Sequence, residues 1–419
     1  MNNEFSFHRV AGALRAFGLA LLFSGCRTPQ AERFARPWIT TKQPLTLLSA
    51  NDGQAHLKLH PAHMTSNSPL KLDRNFTRDS ITVVHLGPDH PPIVKTVHDT
   101  VPNTIGLVPY ASLSQDGRYG FVVSNTNGIF APESADRLNV IDLASPDLPV
   151  VQQVAIPSPW MALAHPDGRH VVVSYAGGFQ VFELRDGQLV LQRDNRLGVS
   201  PLSMDISPDG TRIVASLVAL DNPEKFTGGV HVFRYRDGII AHDQEVTVRS
   251  GLSKFDSPVS LRFSPDGRRV LAPNGHGAGS KGWLDDVLVI DMTLSPPEVT
   301  EAIPQVADGI ESLAFHPSGR SAVIACLDEL PPLALDTYSH LAVIDLTSRP
   351  ARLLYHVNVE AVPEGIEFTP DGSQLFVQCT SANHIAVFDV DGFRLKRSPY
   401  VIRVGHGPAS MVLGRRFGK

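Results

Sequence analysis

Apolar residues along this chain come in short runs of about five, separated by polar turns, and one such unit recurs. SLSQDGRYGFVVS from 112, LAHPDGRHVVVSY from 163 and DISPDGTRIVASL from 205 are followed by RFSPDGRRVLAPN from 262, AFHPSGRSAVIAC from 314 and EFTPDGSQLFVQC from 367. The turn residue falls at 114, 165, 207, 264, 316 and 369, so the period is 42 to 57 residues. After each copy comes a second apolar run: LNVIDL at 138, FQVFEL at 179, VHVFRY at 230, VLVIDM at 287, LAVIDL at 341 and IAVFDV at 385, with ITVVHL at 81 as a seventh. Runs of this length, rich in β-branched residues and bounded by turn residues, predict strands.

The turn has a physical basis. Pro fixes φ at the second position, Asp tolerates the bridge conformation, and Gly takes the left-handed position that a tight antiparallel connection needs. Later turns such as Ala144–Pro149 and Arg185–Gln188 introduce a fourth strand in each unit. Four antiparallel strands per roughly fifty residues, repeated, predict an all-β fold: a seven-bladed β-propeller of four-stranded antiparallel blades. Amphipathic helices of useful length, which an α/β reading requires, are missing from the pattern. The first third-strand run has no obvious inner strand before it, whereas GHGPASMVLGRR (405–416) has an inner strand's pattern and no third strand after it. Ser410–Leu413 is therefore expected to supply the inner strand of blade one and to close the ring. A competing inner hairpin at 45–59 leaves the N-terminal part of that blade open.

Composition adds limits. With 42% hydrophobic and 19% charged residues the chain is globular, and a net charge of −5 without a block of either sign argues against a nucleic-acid partner. His8, Arg9 and Arg15, an apolar run from Ala16 to Phe23, then Ser24, Gly25 and Cys26 form the pattern of a secretory signal, too short to span a bilayer. The expected organisation is a signal peptide over 1–26, a linker over 27–43 and the propeller over 44–419. Leu22-Phe23-Ser24-Gly25-Cys26 resembles the lipobox of bacterial lipoproteins, which implies a lipid anchor on Cys26 and an exported, membrane-anchored protein, periplasmic or at the cell surface. The other cysteines, Cys326 and Cys379, end equivalent strands of neighbouring blades. That spacing favours two buried thiols over a disulfide.

Val362–Val390 followed by Val401–Leu413 (VIRVGHGPASMVL) resembles the YVTN-repeat propellers. His165–Gly178 and Ala314–Glu329 resemble the related seven-bladed lactonase group, which includes 6-phosphogluconolactonases. Both likenesses bear on fold more than on chemistry. In the lactonase group a Gly-Pro-Arg-His run precedes the Phe-His-Pro turn and an Asn-Glu pair ends the next strand. Here Gly309-Ile310-Glu311-Ser312 and Cys326-Leu327 stand in those places, so no catalytic residue carries over.

Two groups of residues are candidates for chemistry. The loops between second and third strands are long at 125–137, 218–229, 274–286 and 327–340, and function in such folds concentrates where loops vary. On this face Asn274, His276, Lys281, Trp283, Asp285, Asp286, Asp328, Glu329, Tyr338 and His340 form an expected binding surface, joined by Asp221, Glu224, Lys225 and Asp336. In the channel, Asp205, Arg262 and Glu367 each precede a turn residue by two, with Ser203, Ser260 and Gly365 two residues earlier on the same side of the strand; they are the catalytic candidates or a structural ion-pair set. His60, His63, His85, His90 and His98 lack metal-ligand spacing, so neither a metal nor a cofactor is expected. No Ser-His-Asp order, phosphate loop or haem attachment motif is present. The leading expectation is an envelope-associated propeller lipoprotein whose long loops bind an envelope protein or a small ligand. The alternative is a periplasmic lactonase-like hydrolase acting at the mouth of the central channel.

Overall fold

The computed structural model describes residues 38–53, 79–98, 111–124, 136–218, 229–274 (apart from 253, 256, 257 and 259), 284–327 and 338–415. They form a seven-bladed β-propeller of antiparallel sheets. The inner strands of blades two to seven are Ala111–Leu113, Pro159–Ala164, Ser200–Ile206, Arg262–Phe263, Ile310–Phe315 and Pro363–Phe368. Blade five gains a short extra strand, Thr247–Val248, parallel to its fourth.

Blade one is closed by the last strand, as the sequence predicted. Pro408–Arg415 pairs with Leu45–Asn51, which pairs with Ser80–Leu86, so the 45–51 run is a second strand and not an inner one. Joining chain ends in one sheet removes the open edges of a partial ring. A buried polar network surrounds the joint. Gln378 Nε2 donates to Ser49 Oγ at 2.7 Å and to Ser410 O at 3.0 Å, while Ser49 Oγ donates to Asn51 Oδ1 at 2.6 Å. Asn51 Nδ2 and Gly405 N both donate to Thr82 Oγ1 at 3.0 Å. Residues just before blade one pack as well: Ile39 is buried with Leu45, Leu47 and Val84, and Thr41 N donates to Gly87 O.

The repeated turns are built alike. In blade four Ser207 Oγ donates to Asp209 Oδ1 at 2.6 Å, and Arg212 N donates back to Ser207 Oγ at 2.9 Å. Ser264 and Asp266, and Thr369 and Asp371, repeat this arrangement. The turn glycines take the left-handed conformation, Gly210 at φ 71° and Gly267 at φ 68°. Each turn also reaches the next blade's turn. Gln115 Nε2 donates to Pro166 O, His165 Nε2 to Gly210 O, Arg212 to Gly267 O, Arg269 to Gly319 O and His316 Nε2 to Gly372 O. His165 and His316 each shape their own hairpin and reach the next blade, whereas in blades two, four and five a serine shapes the turn and a neighbouring Gln or Arg makes the link.

Inner strands touch across blades through their small residues. Met204 N donates to Met161 Sδ, Ala111 N to Ser410 Oγ, and Ser312 Oγ to Glu364 O. At Gly365 no side chain fits: a Cβ there would lie 2.6 Å from Met411 Cβ and 2.9 Å from Met411 N.

Candidate functional site in the central channel

Counting back from each turn residue sorts the inner strands into columns. Two before the turn stand Ser112, Leu163, Asp205, Arg262, Ala314 and Glu367. The charged members come from blades four, five and seven, and the fold brings them to one cavity of about 360 Å³. Its rim is formed by the turn prolines Pro208, Pro265, Pro317 and Pro370, and its wall by Phe263, Leu313 and Phe315. The cavity thus opens at the turn face, opposite the face that carries the long loops.

Electrostatics at this mouth centre on one guanidinium. Burial raises the Asp205 carboxyl above its ordinary range; the Arg262 charge opposes that rise, as do the N–H donors of Phe263 and Ile206. Phe263 N donates to Asp205 Oδ2 at 2.7 Å, tying blade four to blade five. Burial pushes Glu367 up to about 7, with Arg262 pulling it down and Asp205 pushing it further up. Asp205 and Glu367 are enclosed by protein yet keep part of their surface on the cavity. Glu367, raised to about 7, is poised to exchange a proton with water near neutral pH.

A second carboxylate pair lies deeper, and the sequence analysis did not single it out. Inner strands of blades three, four, six and seven carry a bulge about five residues before the turn, at Trp160, Leu202, Glu311 and Glu364-Gly365, and blade one's closing strand has one at Ala409. A bulge re-aims a side chain that strict alternation would place elsewhere. Glu311 and Glu364 are nearly fully buried, at 3% and 6% exposure. They line a small cavity of about 20 Å³ with Arg262, Ser312, Gly365, Glu367 and Ser410. Arg262, Leu313 and Glu367 border both cavities. Burial pushes Glu311 up to about 8. Glu364 is raised by burial and then by the charge of Glu311. Aligning the repeats on their turns places two adjacent acids in one column, a signal that a search for alternation passes over.

The loop-face candidates fare differently. Asn274 is buried and its Nδ2 donates to Lys254 O at 2.8 Å. Asp285 Oδ2 accepts from Gly309 N at 3.2 Å, and Asp286 Oδ1 from Gln305 N at 3.0 Å. These three pin the base of the 274–286 loop. His340 packs its ring against His356 at 5.9 Å, and the backbone of Tyr338 pairs with Glu360. His276, Lys281, Trp283, Asp328, Glu329, Asp221, Glu224, Lys225, Asp336 and Cys26 lie outside the described residues.

On the same face Glu360, Cys379 and His384 bring three metal-ligand atoms within 4.8 Å of one another. The sequence missed this cluster because its members end strands of two blades. Arg397 already donates to Glu360 Oε1, so a guanidinium supplies the positive charge there. Cys326 and Cys379 are both buried thiols and are not joined in a disulfide.

No protein-family model and no curated protein matches the chain. Solved structures do. A candidate 6-phosphogluconolactonase from Bacteroides fragilis is 16% identical with a TM-score of 0.62, covering 90% of this chain and 99% of that one. The periplasmic gluconolactonase of Pseudomonas aeruginosa is 17% identical at 0.60, covering 88% and 99%. Hydrazine synthase of Kuenenia stuttgartiensis, 16% identical at 0.54, covers 75% and 92%. At such identities the likeness shows the fold, and the fold alone hosts unrelated chemistries.

Proposed function

We propose that this protein is a lactonase-like hydrolase acting at the turn-face mouth of its channel on uncharged lactones. The observation that carries the reading is the meeting of Asp205, Arg262 and Glu367 around a cavity of about 360 Å³, with Glu367 titrating at about 7. That volume lies in the range of about 300–1,000 Å³ typical of small-molecule sites.

In this scheme Glu367 accepts a proton from water as the water oxygen adds to the lactone carbonyl carbon. Arg262 stabilises the negative charge gathering on the carbonyl oxygen. Collapse breaks the ring C–O bond, and the protonated Glu367 returns its proton to the leaving alkoxide, giving the hydroxy acid. Asp205 holds Arg262 by charge and is itself fixed by Phe263 N. In the mouth cavity Arg262 faces Asp205 and Glu367, two acids to one base, which disfavours a phosphorylated substrate. The loop-face binding role ranks second, since Asn274, Asp285 and Asp286 are engaged in internal hydrogen bonds. The signal-like N-terminus and the likeness to a structure named a periplasmic gluconolactonase support a periplasmic setting with a lipid on Cys26.

The test is hydrolysis of a panel of neutral and phosphorylated lactones, followed in a pH-stat. Neutral lactones should turn over with kcat/KM rising through about pH 7, and Glu367→Gln should lose about 100- to 10,000-fold. Turnover of no panel member, or a Glu367→Gln variant with unchanged kcat/KM, would remove the reading.

A further inference from the structure

We propose that Glu311 and Glu364 form a binding site for one divalent, oxygen-seeking cation of the calcium or magnesium class, deep in the channel behind the mouth described above. Two buried carboxylates facing one cavity cannot both ionise cheaply in a low-dielectric interior; a shared proton or a shared cation must offset the charge. The neighbouring guanidinium does not serve. The field of Arg262 acts on Asp205 and Glu367, and those two carboxylates already outnumber it. Burial governs Glu311, and Glu364 feels burial and the charge of Glu311.

An independent observation points to a ligand. Glu311 lines the cavity, and its Oε2 is buried and makes no hydrogen bond to any described residue. A buried oxygen left so is destabilising unless something meets it. At about 20 Å³ the cavity has room for one water-sized occupant. All-oxygen donors with two carboxylates suit calcium or magnesium and not a thiolate-seeking metal. The fold supplies the arrangement through matching bulges on adjacent blades, and both acids line the one cavity.

The proposal does not depend on the hydrolase reading, and Asp205→Asn separates the two. Full-length protein stripped with chelator is titrated by calorimetry with calcium, magnesium and manganese chlorides, and its Tm is followed in parallel. One binding site per chain is expected, with Tm rising by roughly 3 °C at a metal concentration about a hundred times Kd. Glu311→Gln and Glu364→Gln, near-isosteric and neutral, should each weaken binding by about 100-fold or more, whereas Asp205→Asn, at a residue that borders only the mouth cavity, should retain it. Either single variant suffices if the other fails to fold. Absence of binding by all three metals to the wild type, or binding unchanged in a folded Gln variant, would overturn the proposal and leave a shared proton between the two acids.

Discussion

Replacing Gly365 by alanine tests the packing that holds the channel acids. Gly365 lies between Glu364 and Glu367, and its φ is outside the left-handed region, so the backbone itself accepts alanine. The added Cβ would sit 2.5 Å from Gln378 Oε1 and 2.9 Å from Met411 N. Met411 is fixed by pairing with Ser49 across the ring closure, so Gln378 or the strand must yield. Overpacking of this kind costs about 1–3 kcal/mol. Displacing Gln378 also breaks its bonds to Ser49 and Ser410, adding about 1–3 kcal/mol for buried groups left unmet. The expected loss is about 2–6 kcal/mol. With an unfolding entropy of about 2.1 cal/mol/K per residue over a propeller of roughly 380 residues, that is a Tm drop of roughly 3–8 °C. Gly392→Ala is the control. Nothing lies near its Cβ, but its φ is 60°, so strain alone should cost about 1–2 kcal/mol. Calorimetric scans of both variants decide the matter. A Gly365→Ala drop no larger than that of Gly392→Ala would refute close blade contact at this point.

Two further outcomes follow from the charge arrangement and the N-terminus. In chelator, stability should fall as pH rises from about 4.5 to 8, because Glu311, Glu364 and Glu367 hold protons when folded that the unfolded chain has released. Below about pH 4 stability should fall again, since Asp167 and Asp371 are held below their ordinary values and lose their partners on protonation. Glu311→Gln should flatten the alkaline limb in urea titrations at each pH; an unchanged slope would show that Glu311 is not buried as described. Palmitate labelling in a bacterial host should mark the wild type and not Cys26→Ala, and equal labelling of the two would dismiss the lipid anchor.

The architecture was legible because its signals are local. A Ser-Pro-Asp-Gly turn is specified by its own residues, and the periodic return of turn and strand gave blade number and strand order. The closing strand was legible too, because 408–415 had an inner strand's pattern and no blade of its own. Asp205, Arg262 and Glu367 could be placed on one side of their strands by alternation alone. That they share a cavity could not be read, since blades four, five and seven meet only through the ring.

Glu311 and Glu364 mark where local reading stops. Alternation assumes an unbroken ladder, and one bulge residue turns a side chain to a new direction. Whether a bulge forms depends on the partner strand: Ser312 pairs with Ala325 whereas Ile310 pairs with Cys326, a slip with no mark in the inner strand itself. Residue type thus determined hairpins, repeat and closure in this protein. Tertiary structure decided which acids are buried together, because desolvation and charge coupling depend on neighbours that the chain reaches only after dozens of residues.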